Sequence, residues 1–209
     1  MSGKKVNGVY DVSKITSLTG SEESILKKFS RTIDFNPKVI TWNGRGFDLP
    51  VLTHRAYVKG IRLQGWFGAG DKWNCYTQRY SEAWHCDLMD TMSAYGATKR
   101  LKLDTVASAI GLPGKVGVDG ADVGSLYEDG KIEEITDYCE TDVVSTYCCY
   151  LRWKLVEGKL TEKAYQESIN SLLNYVSYRY GNTEDSYFLD YMKHVEVDKL
   201  GLKNVSIIN

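Results

Sequence analysis

A short apolar strand, KVITW (38–42), passes through the turn NGRG (43–46) and on into a helix, DLPVLTHRAYVKG (48–60). No other stretch constrains the fold as much. The turn residues supply the backbone freedom to leave extended geometry. Asp48 fits the helix N-cap, Pro50 fits the first turn, and Gly60 fits the exit. A carboxylate placed at such a turn has two readings: a cap for the helix, or a ligand for a cation.

The flanking pattern repeats the strand–helix alternation. Residues 4–18 read as one or two weak strands. A helix follows, with Thr19 and Glu22 at capping-box spacing and Leu26, Phe29 and Ile33 on one stripe, until Asn36-Pro37 breaks it. Residues 61–84, rich in glycine and aromatics without a period, read as a long loop with short structured pieces, a type often functional. HCDLMD (85–90) starts as a strand and becomes a helix. KLDTVASAIGLPG (102–114) is a short helix ended by Gly111 and Pro113. Residues 131–156 and 160–178 are long amphipathic helices. Strand–helix–strand–helix followed by further helices indicates an α/β domain. Three prolines and no polar linker place residues 1–195 in one domain, with 196–209 as a C-terminal tail.

Composition narrows the functional classes. The net charge of −1 lacks the basic excess of a protein that coats duplex DNA, though it leaves room for one that grips a strand end. No apolar run approaches the roughly 20 residues of a membrane span, so no membrane partner is expected. The N-terminus has no apolar signal region. Five cysteines without C-x-x-C spacing argue for reduced thiols and a cytoplasmic setting, with Cys86 as a packed thiol rather than a metal ligand beside His85. GLPGKVGVDGADVG (111–124) is glycine-rich but lacks phosphate-loop order, and Lys115 reads as a solvated loop lysine. Lys99, Arg100 and Lys102 are better placed for phosphate contact. Trp66, Phe67 and Trp73 are candidates for base stacking or for loop packing.

The helix at 131–156 carries an acid out of pattern. At about 100° per residue, Ile135, Cys139, Val143, Thr146, Tyr150 and Trp153 form one apolar stripe. Glu133, Asp137 and Glu140 fall on the opposite, solvent side. Asp142 sits at the stripe's edge, with Tyr138 one turn before it. A carboxylate carried toward the interior needs a donor, a cation or a metal. Two carboxylates, Asp48 and Asp142, therefore await partners.

These residues carry a family resemblance. Asn43-x-x-x-Phe47-Asp48 resembles the second motif of the DEDD-type 3′–5′ exonucleases. Tyr138-x-x-x-Asp142 resembles the third motif of their tyrosine subclass. The text from about SLTGSEE to the helix after residue 160 is similar to the predicted exonucleases related to the proofreading domain of family B DNA polymerases. The resemblance implies a ribonuclease H-like fold, a mixed sheet flanked by helices. It implies hydrolysis of phosphodiesters at the 3′ end of single-stranded nucleic acid by two Mg²⁺ or Mn²⁺ ions. Hard cations take oxygen ligands and activate water. Asp48 and Asp142 would be catalytic metal ligands, Tyr138 would orient the attacking water, and Asn43 and Phe47 would bind substrate.

The family's first motif, D-x-E on the first strand, has no counterpart here: no aspartate is followed by glutamate two residues on, and Asp11 in VYDVSK has a serine there. The expected fold therefore lacks its first strand and two of four ligands, with activity impaired. The alternative is a catalytically degenerate domain that binds nucleic acid or a partner protein. An open sheet edge would favour a covering partner chain. Asp87 or Asp90 replacing the missing acids is a further alternative, weighed against helix capping and turn stabilisation.

Overall fold

A computed structural model describes residues 1–114, 120–180 and 187–201, so Lys115 and the last eight residues lie outside the described residues. The chain divides into two compact units: residues 18–101, and residues 1–17 together with those from 102 onward. The architecture is mixed α/β, as expected from the element order, with the described strands in two small sheets.

In the unit of residues 18–101, helix α1 (Glu22–Ile33) is capped by Ser21, whose side chain accepts from the Ser24 N–H. The cap is thus two residues later than the Thr19 expected from capping-box spacing; Glu22 and Glu23 then occupy the first turn, where helix N–H groups favour acids. Strand β3 (Val39–Thr41) leads to α2 (Asp48–Lys59), which Gly60 closes in the left-handed conformation at φ 63°. The aromatic loop contains one short helix, α3 (Gln64–Gly68). Strand β4 (His85–Asp87) runs parallel to β3, with Thr41 opposite Asp87, and continues into α4 (Leu88–Met92).

The core of this unit is Leu26, Ile33, Leu49, Ala56, Leu63, Trp66 and Tyr76. Trp66 stacks on Tyr76 at 4.9 Å, and Tyr76 meets Trp84 edge-on at 5.1 Å. The loop's aromatics therefore split in role: Trp66 is core, whereas Phe67 and Trp73 are exposed.

In the other unit, strands β1 (Ser2–Val6) and β2 (Val9–Lys14) form an antiparallel hairpin. Its turn is Asn7-Gly8, both with positive φ, the geometry that lets a two-residue turn follow the twist of the strands. Helices α5 (Leu103–Ala109), α6 (Val123–Glu128), α7 (Ile132–Val156), α8 (Glu162–Tyr180) and α9 (Tyr187–Lys193) complete it. The outer edge of β2 is covered by α8. Ser168 Oγ, Ser171 Oγ and Tyr175 Oη accept from the N–H groups of Tyr10, Val12 and Ile15 at 2.9, 2.9 and 3.0 Å. These positions lie three and four residues apart on one helix face, facing Tyr10 and Val12 on one edge of the strand and Ile15 just past its end. Residues 196–201, at the start of the stretch read as a tail, pack through buried Leu200, whose carbonyl accepts from Tyr165 Oη at 2.9 Å.

Helix α7 faces inward differently from the sequence stripe. Its buried residues include Glu140, Thr141, Val144, Ser145, Cys148 and Leu151, while Cys139 and Val143 are exposed. Glu140, placed on the solvent side by periodicity, is instead buried, and accepts from Tyr180 Oη, Ser17 Oγ and Arg179 Nη2. A buried carboxylate is tolerable when donors and a cation surround it, and here they come from distant segments. All five cysteines are free thiols, and Cys86, Cys148 and Cys149 are buried.

Candidate functional site

The turn between β3 and α2 is built by backbone geometry first. Asn43 adopts φ 59°, in the left-handed region that asparagine tolerates better than most residues. Its carbonyl then accepts from the N–H groups of Gly46 and Phe47, both at 3.0 Å, and the Gly44 carbonyl accepts from Leu49 N–H at 2.9 Å. Gly44 is required by close approach. A Cβ there would lie 2.4–2.6 Å from three atoms of the Thr41 side chain. At Gly46 a Cβ would lie 2.5 Å from Asn43 Oδ1.

Asp87, at the end of the neighbouring strand, holds this turn. Parallel pairing brings it opposite Thr41, and its carboxylate reaches the turn beyond. Asp87 Oδ1 accepts from Asn43 N–H at 3.0 Å and Oδ2 from Arg45 N–H at 2.8 Å. The same carboxylate caps α4 by accepting from Asp90 N–H. Asp87 is 4% exposed, so these are charge-assisted bonds largely removed from water. The Arg45 guanidinium runs back across the aromatic loop and donates to the carbonyls of Gln78 at 2.7 Å and of Tyr76 and Thr77 at 3.4 Å. Arg45 is therefore a brace between turn and loop.

Asp90 has a different set of partners. Arg79 grips it with two bonds of 2.8 Å, and Arg100 adds a third of 2.9 Å. The Arg79 hydrogen bonds are the main cause holding the Asp90 carboxyl below its ordinary range. Asp87 thus does the capping and turn-stabilising work weighed for it from sequence, whereas the Asp90 carboxylate is held in an arginine cluster.

Asp48 stands at the first helical position of α2, with Phe47 as the N-cap residue and no side-chain cap, which corrects its reading as the cap itself. The residue is exposed, yet protein crowds its carboxyl on the inner side. That desolvation raises its pKa, its own N–H opposes the shift, and the negative charge of Asp87 adds to it. Phe47 is 64% exposed, and Asn43 is half-buried. Asn43, Phe47 and Asp48 therefore share one pinned turn. His85 lies behind it, with Nε2 2.9 Å from Thr41 Oγ1 and with Nδ1 buried and unpartnered among the described residues. Burial, reinforced by Arg45, pushes its pKa down to about 3, so it is neutral at pH 7.

In the other unit, α7 carries Tyr138 and Asp142 one turn apart, both half-buried. The Tyr138 carbonyl accepts from Thr141 Oγ1 at 2.8 Å. Asp142 contributes to raising the pKa of the buried Tyr191 phenol, which is shifted mainly by desolvation.

At the turn itself the oxygen donor that a hard cation could use is the single exposed carboxylate of Asp48. Its ionised form is disfavoured chiefly by desolvation and further by the negative charge of Asp87. The count does not extend to a pair of ions. Among the described residues no three His, Cys, Asp or Glu side chains gather as a metal-binding group. Asp87 is engaged by backbone N–H groups and Asp90 by arginines.

Sequence reasoning identified the Asn43–Asp48 turn but not its clamp. The signal for Asp87 was the parallel register of two strands whose paired residues, such as Thr41 and Asp87, lie 46 apart in sequence, which no local pattern contains. No helix of the described residues is long and apolar enough to cross a membrane. A family model described as "Predicted 3′-5′ exonuclease related to the exonuclease domain of PolB" matches residues 2–195. No curated protein and no solved structure matches the chain.

Proposed function

The chain belongs to the family of predicted 3′–5′ exonucleases related to the exonuclease domain of PolB, and from that premise we propose that it engages the 3′ end of a single-stranded nucleic acid and hydrolyses its terminal phosphodiester slowly. Water adds at phosphorus, the bond to the 3′-oxygen of the penultimate nucleotide breaks, and that oxygen takes up a proton. The terminal nucleotide leaves as its 5′-monophosphate.

A divalent cation such as Mg²⁺ or Mn²⁺, when bound, would make a coordinated water more acidic and offset charge on the leaving oxygen. Asp48 is the proposed ligand in its unit. Its support is the pinned turn, which fixes the carboxylate's origin, and the raised pKa of that carboxyl, set by desolvation first and by the Asp87 charge second, which a bound cation would offset. Asn43 and Phe47 are proposed substrate contacts, Phe47 because its ring is free to meet a terminal base. In the other unit Asp142 is proposed as an oxygen donor to a cation and Tyr138 as a hydrogen-bond partner for water, on the strength of their motif spacing. Each is tested by its own substitution.

A second reading is binding without cleavage. It is favoured by one observation: no three potential ligands gather among the described residues. Fewer carboxylates mean weaker cation affinity and a rate lower by orders of magnitude. The test is incubation of the purified chain with 5′-labelled single-stranded DNA and RNA in Mn²⁺. Stepwise shortening that disappears in Asp48→Ala supports hydrolysis at this site. Shortening that survives both Asp48→Ala and Asp142→Ala refutes the site. Retained binding without shortening supports the second reading.

A further inference from the structure

Helix α2 carries apolar residues on two opposite faces. Buried Leu49 and Ala56 set the inner one. At about 100° per residue, Phe47, Val51, His54 and Val58 fall within a sector about 60° wide on the side opposite to these two. Phe47 is 64% exposed, Val51 46% and Val58 64%, and His54 is exposed with them. A single apolar residue on a surface needs no partner. A row of them along one helix, back to back with the core face, is the pattern of a helix packed on both sides.

Charge on the same helix is separated end from end. Asp48 lies in the first turn. Toward the other end, Arg55 and Lys59 share one acid, Glu22, whose Oε2 lies 2.8 Å from Arg55 Nη2 and 3.5 Å from Lys59 Nζ. That end therefore holds one positive charge in excess. Asp48, Arg55 and Lys59 all fall on one margin of the apolar row, about 80–120° round the helix from Phe47.

Two-fold symmetry makes this layout self-complementary. Antiparallel α2 helices related by an axis near residues 52 and 53 set Phe47 against Val58 of the second copy, and Val51 against His54 of the second copy. The same operation lays like margins side by side. At 1.5 Å per residue, Asp48 then falls between Arg55 and Lys59 of the second copy, about 3 Å along the axis from each. The helix dipoles also oppose one another. A parallel pairing instead brings like charges to the same level.

We propose that α2 docks antiparallel against α2 of a second copy of this chain, and that the dimer covers the Asn43–Asp48 turn. A contact of one short helix per chain is at the small end of specific interfaces, so the dimer is weak and depends on concentration. It takes Phe47 and Asp48 out of solvent, the groups proposed to meet a terminal base and a cation. Masking of a 3′-end site rests on the function proposed above, whereas docking does not.

The test is sedimentation equilibrium of the full chain from micromolar to near-millimolar concentration under reducing conditions. The expected result is a reversible monomer–dimer equilibrium. Val58→Gln, outside the proposed site, weakens it about tenfold or more, because symmetry removes two apolar contacts at once. Phe47→Cys and Val58→Cys chains, mixed and oxidised, cross-link to each other more than either does to itself, measured above the thiol background of the wild type. Linear single-stranded DNA in Mn²⁺ shifts the equilibrium toward monomer. A chain that stays monomeric throughout, a dimer unaltered in Val58→Gln with native circular dichroism, or cross-linking through like pairs overturns the docking. DNA that binds without shifting the equilibrium overturns the masking. A dimer weakened by Val58→Gln, with no DNA bound at any concentration, supports the docking and counts against the proposed function instead.

Discussion

Replacing Asp87 with alanine should damage the Asn43–Asp48 turn more than any other single change outside it. The substitution leaves two turn N–H groups, those of Asn43 and Arg45, without the acceptor they reach at 3.0 and 2.8 Å. Each buried donor left unsatisfied costs about 1–3 kcal/mol. Loss of the α4 cap adds about 1 kcal/mol. These effects share one carboxylate and do not add fully, which gives roughly 3–5 kcal/mol, a large share of a domain's typical stability of about 5–15 kcal/mol. Asp71 is an informative control. Its Oδ1 also accepts two backbone N–H groups, from Trp73 and Asn74 at 2.7 and 2.9 Å, but in an exposed loop where water can replace it. Asp71→Ala should cost below about 1 kcal/mol. Equilibrium urea unfolding at pH 7 measures both. Tryptophan fluorescence reports mainly on the relevant unit, since Trp42, Trp66, Trp73 and Trp84 lie within residues 18–101 and Trp153 does not. A loss in Asp87→Ala no greater than in Asp71→Ala would refute the reasoning.

Three further outcomes test other parts of the account. Gly44→Ala sets a Cβ within 2.6 Å of a threonine side chain fixed to β3, so it should destabilise by roughly 1–3 kcal/mol in urea unfolding; Gly124→Ala, which meets nothing within 4 Å, should be near neutral in the same measurement. His85 has its folded pKa pushed down to about 3 from an ordinary 6.5, so the unfolded chain takes up this proton first as pH falls. Its share of stability is intact above pH 6.5 and is lost below it at about 1.4 kcal/mol per pH unit; the wild type should therefore show a steeper loss between about pH 6 and 4.5 than His85→Gln, and equal slopes would contradict the neutral buried imidazole. Asp48 has the opposite sign: its raised folded pKa means that ionisation costs stability, with the cost appearing as pH rises from the ordinary 3.8 through the folded value. Asp48→Asn should therefore raise the melting temperature at pH 7 and lose that advantage at pH 3, and a lower melting temperature at pH 7 would count against the crowded carboxyl.

The parts legible in the sequence were those set by local chemistry. Gly60, Pro50 and the KVITW strand behave as turn and propensity rules require, and the α/β order followed from them. The Asn7-Gly8 turn was equally local and marks the hairpin at 2–14, a signal available in the sequence that the weak-strand reading passed over. What stayed hidden depends on distant pairing. Glu140 is buried because Ser17, Arg179 and Tyr180 converge on it from two other segments, and a helical wheel places a lone glutamate in water. The true inward face of α7 is polar near this acid, so an apolar stripe was the wrong guide there. Asp48 was legible as a special residue through its motif, while the clamp that fixes its turn depends on the β3–β4 register. The Arg79–Asp90–Arg100 cluster likewise joins residues that share no motif.

The most direct test of the central claim, recognition of a free 3′ end, is competition between linear and circular single-stranded DNA of the same length and sequence. Binding to the chain is measured in Mn²⁺ with a labelled linear strand as probe. The account predicts that linear competitor displaces the probe and circular competitor does so far less well, with the difference reduced in Asn43→Ala. Equal displacement by the circle would contradict it.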